Sequence, residues 1–226
     1  MRRFLRENDL TLVMFGLFIL CLIGQFVAGL HVYNESQEAL GLANVSGAGY
    51  VRTGHFVEAV FENWESEFLQ MGAYILLTVF LYQKGSAVSR NPDDPDEVDA
   101  GSGGHADVPW PVRRGGIALH VYENSLALAL FGLFLVSFLL HAAGGARDAS
   151  AELAAHGEPG VSLLTYLGTA RFWFESLQNW QSEFLSIGVL VVLTIFLRQR
   201  GSPESKPIDP PHRESGRAGR GRPRQS

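Results

Sequence analysis

With a single cysteine, Cys21, among its 226 residues, the chain has neither a disulfide framework nor a cysteine-ligated metal centre. Its seven histidines are scattered, and His31, His55, His120 and His141 show no ligand spacing. His31 and Glu35 form an i, i+4 pair able to hold a metal only weakly. There is no His-Glu-x-x-His, no Gly-x-Ser-x-Gly and no phosphate-cradling glycine loop, so the common hydrolase and nucleotide-dependent chemistries lack their machinery. A non-enzymatic protein without a cofactor is expected. The basic C-terminal stretch has no aromatic residue to stack on a base, which argues against nucleic-acid binding.

What is present is segregated. A hydrophobic fraction of 46% and a charged fraction of 18% would fit a soluble domain, but the apolar residues fall in long runs. Residues 10–30 are interrupted only by Thr11 and Gln25, and residues 125–143 by little except Ser137 and His141. Either run can cross a hydrocarbon core, which needs about 20 helical residues. Two shorter runs, 68–82 and 184–197, reach that length if they start at Trp64 and Trp180, residues suited to anchor a helix at the membrane interface. The first run follows a basic start but is too long for a signal peptide and lacks a small-x-small cleavage site, so a retained helix is expected.

The chain also repeats itself. Residues 56–86 and 172–202 align without a gap at an offset of 116, with identity at 15 of 31 positions around Asn-Trp-x-Ser-Glu-Phe-Leu. At the same offset residues 7–18 match residues 123–134 at 8 of 12 positions. The expected fold is an all-α membrane protein: four transmembrane helices arranged as two parallel-repeat helical hairpins, each with an outer amphipathic helical extension. Residues 1–86 form the first repeat, with helices at about 10–30 and 64–83. Residues 117–202 form the second, with helices at about 125–143 and 180–199.

Residues 87–116, rich in Asp, Gly, Ser and Pro at their start, read as a disordered acidic linker, and residues 203–226 as a disordered basic tail. Of the 18 basic residues, 15 lie in the N-terminal segment, between Lys84 and Arg114, or from Arg198 onward. The positive-inside rule then makes both termini and the linker cytoplasmic. Gly85-Ser86 and Gly201-Ser202 read as matching helix stops. The tail either touches anionic lipid or is a topology signal with no partner.

One polar line runs down the second helix of each repeat. Glu58, Glu62 and Glu65 share one face of the segment before the membrane. Glu67 falls opposite them, in line with Asn63 and Thr78. The equivalent line is Asn179, Glu183 and Thr194. An ionisable group inside the bilayer is costly and normally faces a bundle interior or a watery cavity. Gln25 and His141, equivalent by the 116 offset, sit at a matching depth, and Glu67 and Glu183 are expected to pack against them. The alternative is that each glutamate is an interhelical hydrogen-bond clamp, with no ligand at all. Because His141 is replaced by Gln25 in the other repeat, a haem or metal role for it is not shared.

The Glu-Asn at the head of each first helix, the stretch Phe-Val-Glu-Ala-Val-Phe-Glu-Asn-Trp-Glu-Ser-Glu-Phe-Leu-Gln at 56–70 and Phe-Leu-Tyr-Gln-Lys-Gly-Ser at 80–86 resemble an uncharacterised family of bacterial integral membrane proteins, known only as a domain of unknown function. The resemblance implies a bacterial inner-membrane location and brings no activity. Three functions stand open: binding or passing a cation, proton or small solute at the paired glutamates; a structural or accessory role with the glutamates as clamps; and a membrane enzyme. Transport through so few helices would require a homodimer.

Overall fold

The computed structural model describes residues 2–89 and 108–214, and all regular structure among them is helical. The order is α1 (Arg2–Glu7), α2 (Asp9–Ala39), α3 (Gly47–Tyr50), α4 (Gly54–Phe80), α5 (Trp110–Arg114), α6 (Gly116–Glu123), α7 (Ser125–Ala155), α8 (Leu163–Leu167) and α9 (Ala170–Phe196). Most of the expected linker, residues 90–107, and of the expected tail, residues 215–226, lies outside the described residues. The flanking segments carry structure of their own, in α5, α6 and the turns of residues 203–214.

The repeat period governs these boundaries. The helices α2 and α7 each have 31 residues and α4 and α9 each have 27, and the bounds of each pair differ by 116. All four run further toward their connecting loop than the apolar pattern reaches. Three, α2, α7 and α9, are long and apolar enough to cross a membrane. Although α4 matches α9 in length, it has Gln70, Met71, Ala73 and Tyr74 where α9 has Ser186, Ile187, Val189 and Leu190, and these less apolar residues dilute its apolar stretch. The glycine stops lie beyond the helix ends: Gly85 and Gly201 occupy turns with φ of 87° and 84°, a left-handed conformation that glycine adopts without strain.

The chain forms two compact units, residues 1–63 with 137–174 and residues 64–136 with 175–226. In the first, each loop is tied down by the same bonds. Asn34 holds Val45 through its backbone N–H and carbonyl, and Ser150, its equivalent, holds Val161 through the same two groups. Ser46 and Ser162 cap α3 and α8 by accepting from the backbone N–H of Gly49 and Thr165, which satisfies otherwise orphaned donors. Tyr50 packs against Gly29, and its equivalent Tyr166 against Gly145. Around Tyr166 the core comprises Ala142, Ala146 and Phe172.

In the second unit α4 approaches α7 where Gly72 lies against Leu130 and Phe131, a small residue allowing close helix contact. The turn after α4 returns to α9 through Ser86, whose hydroxyl is 2.9 Å from that of Thr194.

Candidate functional site

The first unit contains a buried polar centre at one end of its core. Glu58 on α4, His141 on α7 and Tyr166 on α8 are 6%, 0% and 1% exposed. The Tyr166 hydroxyl donates to Glu58 Oε1 at 2.8 Å, and the Arg171 guanidinium lies 3.6 Å from the same oxygen. Arg171 also reaches Asp148 and Glu152, both at 3.3 Å. A buried carboxylate needs such partners, because desolvation without them costs several kcal/mol, on the order of what a whole interaction network supplies. The His141 ring stacks on Phe172 with centroids 4.9 Å apart. Gly144 makes room for this arrangement: a Cβ there would stand 2.5 Å from the backbone nitrogen of Glu58.

Glu58 and His141 bring ligand atoms within 4.8 Å of each other, and Glu58 already faces a hydroxyl donor and a guanidinium. Tyr166, Glu58 and Arg171, with Asp148 and Glu152, form an internal network of hydrogen-bonded and ion-paired groups. It also breaks the repeat, for Glu58, His141 and Arg171 have Phe174, Gln25 and His55 as equivalents. In the first repeat Tyr50 is 3.0 Å from His55 Nδ1. Burial, and then the charge of Asp148, push the Tyr50 hydroxyl above its ordinary value, which keeps its proton in place.

The second unit holds the expected glutamate line. Glu67 is exposed and Glu183 half-buried. The bonds tying α4 to α9 come from neighbouring residues. Gln70 Nε2 donates to the Glu183 carbonyl at 3.0 Å and to Ser186 Oγ at 3.3 Å. The indole of Trp180 donates to Glu65 Oε1 at 3.2 Å and packs on Phe134, so this tryptophan uses its polar handle inside the protein. Trp64 is half-buried.

The remaining expected residues make mostly local bonds. Asn63 donates to the Ala59 carbonyl one turn back, and Thr78 to that of Ile75; the Asn179 carbonyl accepts from Ser182. Thr194 is buried and accepts from the backbone of Ala87. Gln25, in the first unit, donates across to the Ala59 carbonyl at 3.1 Å. Gln25 and His141 belong to the first unit, and Glu67 and Glu183 to the second. His31 and Glu35 pair at 3.2 Å in full exposure.

Of the three glutamates that share a face in the sequence, Glu58 and Glu65 are buried and Glu62 is half-buried; Val60 on the other face is buried too, and Glu67 is exposed. One signal was available for the missed centre: Tyr166 matches Tyr50 at the repeat offset, and Gly145 matches Gly29. A family model described as a domain of unknown function (DUF6766) matches residues 1–217. The chain belongs to that family. Membership covers both repeats and fixes no activity. No curated protein and no solved structure matches the chain.

Proposed function

We propose that this is a bacterial inner-membrane protein with four crossing helices and cytoplasmic termini, which binds or passes a proton or small cation at Glu67 and Glu183. One observation carries the reading. Glu67 and Glu183 are repeat-equivalent carboxylates on the predominantly apolar helices α4 and α9, and the two helices bond to each other at this level through Gln70 and the Glu183 carbonyl; acidic groups in such a setting normally serve a polar ligand or cavity. The membrane setting is supported by α2, whose residues 10–20 are exposed on every face, as suits a helix surrounded by lipid. The fourth crossing, α4, has a less apolar stretch than α9, and one polar group in it, Gln70, bonds to α9. A homodimer supplies the surface that so small a bundle needs to enclose a path.

A second reading is favoured by the bonds Gln70–Ser186 and Glu65–Trp180: a scaffold in which α4 and α9 are clamped together, with the paired glutamates part of the clamp. The two separate in liposomes carrying the purified protein, by comparing proton and monovalent-cation flux in wild type and Glu67→Gln/Glu183→Gln, with thermal stability measured on both. Flux lost at unchanged stability supports the carboxylate site. Absent wild-type flux, with a marked loss of stability in the variant, supports the scaffold.

A further inference from the structure

The segment leading into the second repeat has a surface that neither reading uses. It runs from Trp110 to Glu123 as α5 and α6, broken at Gly115, and one residue, Asn124, separates it from α7. Its apolar side chains do not pack inward: Ile117 is 85% exposed, Trp110 56% and Val121 50%. Left in water, such side chains forfeit about 1.5–3 kcal/mol each relative to burial, so the segment requires a cover. Arg113 and Arg114 are exposed beside them, and the Arg114 guanidinium lies 5.1 Å from the centroid of the Trp110 ring.

The composition of that face specifies the cover. Tryptophan and tyrosine settle at the level of lipid headgroups, where one end of the ring is apolar and the other wet. Arginines at the same level meet phosphate oxygens. The surface is continuous with α7, one of the helices apolar enough to cross the membrane, and an Asn124 side chain donating to the His120 carbonyl at 2.8 Å fixes the bend between them. The first repeat has the same elbow, with Asn8 donating to the Phe4 carbonyl at 2.9 Å and Phe4 and Leu5 exposed on α1. In the described tail, by contrast, Arg198 bonds the carbonyls of Pro207 and Pro210, and buried Lys206 bonds those of Gly85, His212 and Glu214. These two cations are used internally.

We infer that α5 and α6 form an interfacial clamp that lies on the membrane surface at the foot of α7 and binds anionic phospholipid headgroups through Arg113 and Arg114, with Trp110, Ile117, Val121 and Tyr122 in the acyl boundary. The inference rests on the membrane part of the proposed function and is independent of the glutamate site. Cytoplasmic leaflets carry the complementary negative charge.

The test uses full-length protein in nanodiscs containing phosphatidylcholine and phosphatidylglycerol, with one or the other brominated to quench tryptophan. The difference in quenching between wild type and Trp110→Phe isolates Trp110. Expected is stronger quenching by brominated phosphatidylglycerol, with the preference falling roughly tenfold in Arg113→Gln/Arg114→Gln. Equal quenching by both lipids overturns the anionic preference, and no quenching of Trp110 by either overturns the clamp. Quenching that survives in Trp110→Phe, from Trp64, Trp173 and Trp180, reports separately that the protein sits in the bilayer. Native mass spectrometry of wild type and the double arginine variant gives a second readout, with fewer phosphatidylglycerol adducts on the variant expected and equal numbers counting against the clamp.

Discussion

Gln70 and Ser186 are 116 residues apart, occupy the same position in the two repeats, and touch through a 3.3 Å hydrogen bond. This bond marks where the paired helices α4 and α9 meet. Gln70 holds two acceptors there, Ser186 and the Glu183 carbonyl.

Interhelical hydrogen bonds in a membrane protein average about 0.6 kcal/mol. Gln70→Ala removes two, and a loss of about 1 kcal/mol is expected in reversible unfolding from detergent micelles. Ser186→Ala leaves the bond to the Glu183 carbonyl and is expected to cost about half as much. Equal losses from the two variants would place the energy elsewhere than in these bonds.

Tyr166 and Glu58 offer a sharper case because both are buried. Tyr166→Phe leaves a buried carboxylate oxygen without its hydroxyl donor, a loss worth about 1–3 kcal/mol. Glu58→Gln keeps an oxygen in place but weakens the attraction of Arg171. The double variant is expected to be less destabilised than the sum of the two singles, with a coupling of about 1 kcal/mol in a double-mutant cycle. Additive losses would mean that the 2.8 Å contact carries no energy of its own.

Much of this architecture is written in the sequence, because helix length and repeat offset are local properties. Residues Asn34 and Ser150, or Ser46 and Ser162, differ or agree in type yet perform the same loop-fixing task at the same offset. The centre around Glu58 was not legible for a physical reason. Its partner Tyr166 lies 108 residues away, and its burial depends on a backbone approach at Gly144 that no periodicity reports. Hydrophobic patterning says which residues share a face of α4. It cannot say that Glu58 and Glu65 are buried as Val60 is, since a helix in a membrane can turn its polar side inward. The reading of α4 as a span suffered likewise from Gln70, whose polarity serves a helix contact.

Lys206 gives a pH-dependent prediction. Burial, with a contribution from the charge of Arg198 and opposed by that of Glu214, pushes its ammonium below the ordinary lysine value of 10.5. The folded protein therefore releases this proton at lower pH than the unfolded chain, so the unfolded chain holds more protons between the two values. Stability from this group rises with pH across that window and levels off above 10.5. Lys206→Met is expected to lose stability near neutral pH, because the carbonyls of Gly85, His212 and Glu214 lose a donor. The stability of wild type relative to the variant should climb with pH in thermal melts taken through the alkaline range. A flat difference would show that the group titrates alike in both states.

Two glycines on long helices separate close packing from helix propensity. At Gly144 a Cβ would stand 2.5 Å from the Glu58 nitrogen and 2.9 Å from its Cα. These are backbone atoms of another helix and cannot rotate away, so Gly144→Ala must push α4 from α7 and disturb the neighbouring Tyr166–Glu58 bond. At Gly188 on α9 nothing lies within 4 Å of the added carbon, and there alanine gains helix propensity, up to about 1 kcal/mol in water. Gly144→Ala is expected to lose about 1–3 kcal/mol, and Gly188→Ala to match or exceed wild type. Hydrogen exchange locates the damage: faster exchange in Gly144→Ala should appear at residues 54–63 and 163–172 and spare α9 beyond residue 180. Wild-type protection at residues 54–63 in that variant would mean that α4 and α7 do not depend on the glycine for their approach.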